Sequence, residues 1–403
     1  MIRHLCKLVW NRKRSNALMI VEICISFLVV FVVATLGLFF LDNYRRPLGY
    51  EWKPVWNVGI GMGLSEAGGT KTPEQSAAQQ AIFARLLREV RSLGPVEAAA
   101  GSFVIPFDQG GWSGRYKFKG RSMDVGIDRA TVGFDKTMGL DLVAGRWFEE
   151  ADAGHAWEPI VINREVARKV YGAEDPIGKP FADPRPGESP FRVVGVVSDF
   201  RKGGELMPVD NFMFRLASID HPEGDPTRNL LVRVRPGTPV EFEEALVKRM
   251  QAVAPDWSFE VKPLRQVRAT AFRFFLTPLT VAGTIAFFLL LMVGLGLIGV
   301  LWQNLLQRTR EMGLRRAAGA SRAAVHAQVL LEQLVVTSLG VLIGTLLVVQ
   351  VPVLDLIGVL THEVFLGGLL FAMITMYLIS TLCALYPSAL AARVPPAEAL
   401  RYE

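Results

Sequence analysis

The sequence predicts an α+β membrane protein: four transmembrane helices, with a large extracytoplasmic α/β domain between the first and the second. Three observations carry this. Apolar types make up 51% of the 403 residues and mean hydropathy is +0.30, while charged residues reach only 20%, below the roughly 25% of ordinary soluble domains. Four stretches are apolar over about the 20 residues needed to cross about 30 Å of hydrocarbon. A segment of 234 residues, 42–275, separates the first stretch from the second. That balance excludes a disordered or fibrous chain and argues against a purely soluble enzyme.

The first span, 17–41, has no Lys or Arg and one carboxylate, Glu22. Its apolar core is too long for a signal-peptide core and no small-residue cleavage site follows before Asp42, so it reads as a retained helix. The second span, 276–301, carries no charge; the third, 327–351, holds only Glu332; the fourth, 364–386, holds none. Orientation follows from the flanking cations. Arg3, Lys7, Arg12, Lys13 and Arg14 fall in or next to the N-terminal segment 1–16, and Arg308, Arg310, Arg315, Arg316 and Arg322 in 302–326. Arg393 and Arg401 fall in the tail, 387–403. These three segments are therefore expected in the cytoplasm with both termini. The connection 352–363 has no Lys or Arg and is expected outside. The large domain carries 32 basic and 31 acidic residues, so the net charge of +6 reports topology, and nucleic acid is not an expected partner.

Within 42–275, two strand–helix–strand patterns lie at opposite ends. Residues 55–62 read as a strand, Thr72-Pro73-Glu74 opens a helix to about Val90, and 96–104 reads as the next strand. Residues 229–234 alternate as a strand, Thr238-Pro239 opens a helix to about Val253, and 257–261 closes as a strand. Two such units suggest a split βαβ layer of ferredoxin type. Residues 106–218 then form an inserted, β-rich subdomain, with strands at 115–118, 125–131 and 191–197 and a short helix over 163–171 capped by Asn163.

Chemistry is hard to find. GxxxxGK[ST] does not occur, and the sixteen residues before the first span leave no room for an ATPase domain at that end. GxSxG, HExxH and SxxK are missing in any useful context. Cys6, Cys24 and Cys383 form no framework, and no cluster predicts a metal or a cofactor. His4, His155, His221, His326 and His362 are scattered. Asp108, Asp124, Asp128 and Asp135 are close in sequence but read as solvated strand and turn residues rather than a catalytic pair. Glu22 and Glu332 lie near the cytoplasmic ends of their spans. A charge in hydrocarbon costs at least about 2.5–3.5 kcal/mol, so each should reach the interface or serve an intramembrane helix–helix or protomer contact.

The stretch between the second and third spans is the most informative. Met312 and Leu314 to Ala318 give an apolar side, arginines sit at headgroup level, Gly319 can end the helix in the left-handed conformation, and Ser321 can cap the next. On physics alone it is an amphipathic helix at the cytoplasmic face, or a positive-inside anchor.

Arg308-Thr309-Arg310-Glu311-Met312-Gly313-Leu314-Arg315-Arg316-Ala317-Ala318-Gly319-Ala320-Ser321 resembles the signature of the MacB/FtsX-like family of ABC transporter permeases, Ala318 standing where a larger aliphatic is usual. Val161-Ile162-Asn163 through Asp175-Pro176-Ile177-Gly178-Lys179 and Val193 to Asp199 resemble the family's extracytoplasmic core domain, and Pro396 to Glu403 its C-terminus. The resemblance implies a non-catalytic subunit in a bacterial inner membrane, working by mechanotransmission. Its partners would be a cytoplasmic ABC ATPase dimer holding ATP and Mg, a second permease copy or a sister permease, the lipid bilayer and a periplasmic adaptor. It assigns ATPase coupling to Glu311, Met312, Gly313, Leu314, Arg315, Arg316, Gly319, Ala320 and Ser321. Arg14-Ser15-Asn16 departs from the family's usual lead-in and keeps a heterodimer open. Efflux or extraction of a drug, peptide, lipid or lipoprotein is the first reading. A regulatory membrane protein controlling a hydrolase or a sensor kinase, and a membrane-bound enzyme, are its rivals.

Overall fold

The computed structural model describes residues 13–62, 72–108, 110–118, 120–183, 189–217, 227–307, 314, 319–354 and 360–391. The chain divides into two compact units, Asn43–Phe274 and the flanking helices.

Asn43–Phe274 is built on one eleven-stranded sheet. Its first part contains β1 (Val55–Gly61), helix α2 (Pro73–Arg91) and β2 (Val96–Ser102), and its last part β10 (Asn229–Val234), α5 (Phe242–Val253) and β11 (Ser258–Pro263). The strand order here is β11-β1-β10-β2. β10 lies between β1 and β2 and is antiparallel to both, so each βαβ unit is split by a strand of the other, as the sequence predicts. α2 starts where Thr72 and Gln75 close a reciprocal capping box. Its Phe83, Leu86, Leu87 and Val90 pack with Phe242, Leu246 and Met250 of α5 over Trp56, Val58, Ile60, Leu230 and Val232.

One helix start differs from expectation. α5 begins at Phe242, because the Thr238 hydroxyl donates to the carbonyl of Arg235 at 2.7 Å and so closes a turn instead of capping a helix.

The insertion adds β3 (Trp112–Phe118), β4 (Arg121–Ala130), α3 (Phe134–Met138), β5 (Leu142–Gly145), β6 (Glu158–Asn163), α4 (Arg164–Tyr171), β7 (Pro180–Phe181), β8 (Phe191–Val197) and β9 (Phe212–Leu216). These strands extend the same sheet, in the order β2-β4-β9-β6-β8-β5. The join is one residue pair, Ser102 with Ala130. Asn163 caps α4 by accepting from the Val166 amide at 3.2 Å. β6 and β9, which the sequence reading passed over, lie in mid-sheet with mostly buried residues.

The second unit holds most of α1 (Lys13–Tyr44) and α6 (Leu264–Leu306), with α7 (Arg322–Val348), a short α8 (Gln350–Val353) and α9 (His362–Ala391). Among the described residues four helices are long and apolar enough to cross a membrane, at Ala17–Tyr44, Leu264–Asn304, Arg322–Val348 and His362–Ala389. α7 stops short of the expected 351; Val349 caps it and Pro352 sits in the short helix that follows. Ile23, Phe27 and Phe31 of α1 meet Val293 and Leu297 of α6, Val336 and Val341 of α7, and Ala372 and Met376 of α9 in one core.

Candidate functional site

Of the residues assigned to ATPase coupling, Glu311, Met312, Gly313, Arg315 and Arg316 lie outside the described residues. Leu314 is exposed. Gly319 has φ +97°, and nothing lies within 4 Å of where a Cβ would stand. Ala320 follows, and Ser321 has extended backbone, its hydroxyl accepting from the Ala324 amide at 3.2 Å to start α7. The chain thus takes a left-handed step and restarts as a capped helix within three residues.

The two intramembrane carboxylates have different surroundings. Glu22 is half-buried on α1 and faces α6, its Oε1 lying 3.0 Å from where a Cβ would stand on Gly296. A side chain at Gly296 would crowd that carboxylate against the helix. Glu332 accepts from Gln328 Nε2 at 3.0 Å, one turn back on its own helix.

A polar seam between α7 and α9 went unnoticed in the sequence. Gln333 Nε2 donates to Ser380 Oγ at 3.1 Å, Thr337 shares a 2.5 Å hydrogen bond with the same hydroxyl, and Ser338 meets Tyr377 Oη at 2.9 Å. Ser388 and His326 lie 3.2 Å apart. The one-turn spacing of Gln333 and Thr337 inside an apolar run was the available signal. Glycines bring α1 close to this pair: Gly340 faces Ile23, Gly344 the ring of Phe27, and Gly368 Thr35.

In the sheet unit, Asp124 pairs with Arg115 at 2.9 Å on the surface, and Asp108 accepts from the Gly110 amide at 3.3 Å. Asp135 stands in the first turn of α3. Asp128 corrects the reading of these carboxylates as solvated. It is 1% exposed, its Oδ2 lies 2.7 Å from Ser102 Oγ, and it accepts from the Phe103 amide at 3.1 Å and the Val104 amide at 3.0 Å. Burial at the single join between β2 and β4 removes it from water. That burial pushes its carboxyl up to about 7, against the pull of these hydrogen bonds. The hydroxyl it meets, that of Ser102, is itself fully buried, so the pair presents no accessible nucleophile. Of the histidines, His155 lies 3.3 Å from the Asp152 carbonyl and His362 opens α9, while His4 and His221 lie outside the described residues.

The sequence profile of the MacB-like periplasmic core domain matches residues 17–249, more than half of the chain, and that of the FtsX-like permease C-terminal matches 283–396. The chain belongs to the MacB/FtsX-like family of ABC transporter permeases. The first match covers α1 through most of α5 and the second covers most of α6 to α9, so this MacB/FtsX-like chain carries both parts in family order. It is 26% identical over 305 residues to the macrolide export ATP-binding/permease protein MacB of Bordetella avium, covering 72% of this chain and 45% of that protein. It is 23% identical over 293 residues to the uncharacterized ABC transporter permease YknZ of Bacillus subtilis, covering 70% of each. The chain spans about half the length of the MacB proteins it matches. The crystal structure of the periplasmic region of MacB from Actinobacillus actinomycetemcomitans aligns at 15% identity over 57% of this chain and 96% of that one. Its TM-score is 0.39, too low to bear on the fold.

Proposed function

We propose that this chain is the non-catalytic permease subunit of an ABC transporter in a bacterial inner membrane. It couples ATP hydrolysis on a separate cytoplasmic ATPase to movement of its extracytoplasmic domain, in efflux or extraction of a drug, peptide, lipid or lipoprotein. One observation carries the reading: both family matches occur in one chain, with the sheet domain placed in sequence between the first and second membrane-capable helices. The flanking cations support cytoplasmic termini and an outside sheet domain. GxxxxGK[ST] does not occur in these residues, which supports placing ATP and Mg on the partner. The likeness of residues 308–321 to the family signature supports the ATPase being held by Glu311 to Arg316. A second copy or a sister permease completes the pair, and a periplasmic adaptor would meet the outside domain.

The test is reconstitution. The purified chain alone in lipid should hydrolyse no ATP, and hydrolysis should respond to the chain only when an ABC ATPase subunit is added. Hydrolysis by the chain alone, after rigorous removal of contaminants, would return the reading to its enzyme rival.

A further inference from the structure

Arg201 is the largest side chain with no exposed surface in the sheet unit, at 0%. It follows β8 in the loop that leads to β9. A buried guanidinium is costly unless its donors are met, and here they are met by backbone carbonyls of its own loop and of one distant stretch. Nη1 donates to the carbonyl of Arg46 at 2.8 Å, Nη2 to those of Glu205 at 2.8 Å and Met207, and Nε to Met207 at 3.2 Å. Its own amide donates to Leu48 at 3.1 Å, and Tyr50 Oη donates to its carbonyl at 3.2 Å. Residues 46–50, which follow α1 directly, are thereby stitched to loop 199–207 of the insertion along both main chain and side chain. Gly49, at φ +80°, permits the contact: a Cβ there would run into the Asp199 carbonyl.

The same loop is tied a second time. Glu205 pairs with Arg268, in the first turns of α6, at 2.6 Å. The Arg268 guanidinium stacks 4.7 Å from the Trp52 ring and 4.4 Å from Phe272. One short loop of the insertion therefore holds the segment after α1 through Arg201 and the start of α6 through Glu205. The insertion also meets β2 through the Ser102–Ala130 pair, the Gly101–Thr131 hydrogen bonds and the Asp128 network.

We propose that Arg201 and Glu205 are the residues through which displacement of the two chain segments that enter the sheet domain reaches its insertion. They are positioning residues for transport, acting through loop 199–207. This rests on the proposed function, in which ATP moves the outside domain.

The experiment uses the full chain in lipid nanodiscs with its ABC ATPase subunit, Cys6, Cys24 and Cys383 replaced by serine. Spin labels are placed at two pairs of exposed positions, Lys248 on α5 with Val143 on β5 of the insertion and Lys248 with Arg45. In the wild type, ATP should shift both distances. Arg201→Met should lose the shift at Lys248–Val143 and keep it at Lys248–Arg45, well below its unfolding temperature. Arg201→Lys should restore part of it, since an ammonium reaches some of these carbonyls without the planar fork. Glu205→Gln, which keeps Arg201 intact, should also lose the Val143 shift and serves where Arg201→Met fails to fold. A residue that only stabilises the fold would lower the unfolding temperature and leave both shifts alone. Shifts in every variant equal to the wild type would overturn the inference and leave the function standing. A wild type in which ATP moves neither pair would overturn the proposed function, and the inference with it.

Discussion

Ser102 Oγ stands 2.7 Å from Asp128 Oδ2 and 2.6 Å from the carbonyl oxygen of Val104. A serine hydroxyl has one proton, so it cannot donate to both. A neutral Asp128 resolves this by donating its own proton to Ser102, which then donates to Val104. The amides of Phe103 and Val104 still have the other carboxyl oxygen to donate to. Hydrogen-bond geometry and burial therefore agree that the carboxyl keeps its proton well above the usual carboxylate range, up to about pH 7.

A pH dependence follows. Burial raises Asp128 from 3.8 to about 7, so between those values the native state holds a proton that the unfolded chain has released. The stabilising contribution is complete below about pH 4 and is lost as pH rises through about 7. Lys202, whose cation shares this corner with Asp108, Asp128 and Asp210, is held below the ordinary lysine range by burial. Asp128→Asn keeps the shape, stays neutral and can donate its amide to Ser102. In thermal unfolding of the full chain in detergent, the asparagine variant should match the wild type near pH 5. It should exceed the wild type at pH 8, by on the order of a few kcal/mol. A gap that closes as pH rises would refute the neutral carboxyl.

The membrane helices allow a second prediction, on whether close packing or the polar seam holds them. A Cβ on Gly340 would lie 2.7 Å from Ile23 Cγ2, and one on Gly344 would enter the Phe27 ring. Overpacking costs about 1–3 kcal/mol, whereas hydrogen bonds between membrane helices average about 0.6 kcal/mol. Gly344→Leu should therefore lower the unfolding temperature of the full chain clearly more than Ser380→Ala, which removes the partner of Gln333 and Thr337. The reverse order would mean that the seam carries the packing.

How much of this was legible differs by element. The split βαβ layer could be read because β1 and β10 are each followed by a helix, the first with a clear start at Thr72-Pro73-Glu74. β6 and β9 could not. Ile160-Val161-Ile162 and Phe212-Met213-Phe214 are short apolar runs buried on both faces, and such runs carry no period to separate a strand from a helix. Asp128 looked like its neighbours because burial is set by a strand join, Ser102 with Ala130, made across 28 residues of chain. The Arg201 knot depends on carbonyls over 150 residues away, which no local pattern announces.

Topology can be checked without knowing the cargo. Single cysteines in a cysteine-free background should be labelled from outside at exposed positions in 42–275, such as Trp112, and in 352–363. Those in 302–325 should be labelled only after permeabilisation. This orientation follows from the clustering of cations at both ends of the chain and between α6 and α7, against their balance in the sheet domain. Labelling of Trp112→Cys from the cytoplasmic side alone would invert the orientation.

The last prediction separates a docking helix from a membrane anchor at the segment before α7. Ser321 caps α7, so Ser321→Ala should cost about 1 kcal/mol at that helix start and little else. Gly319, at φ +97°, should tolerate asparagine better than valine, because a β-branched residue resists the left-handed backbone. Neither change tests the partner. Glu311 does, because an acidic side chain gains nothing from an anionic bilayer surface, yet it can stabilise a helix N-terminus or accept a cation from an ATPase. Gly313 does too, since a bulky side chain would block close backbone approach. Gly313→Trp and Glu311→Lys should therefore leave the chain inserted and paired with its second copy but reduce co-purification with the ATPase and abolish its stimulated hydrolysis in lipid. Adding a cation at Glu311 should strengthen a pure anchor, so the two readings predict opposite signs for membrane attachment and for ATPase capture. If both variants capture and stimulate the ATPase like the wild type, the segment serves only to hold the cytoplasmic face.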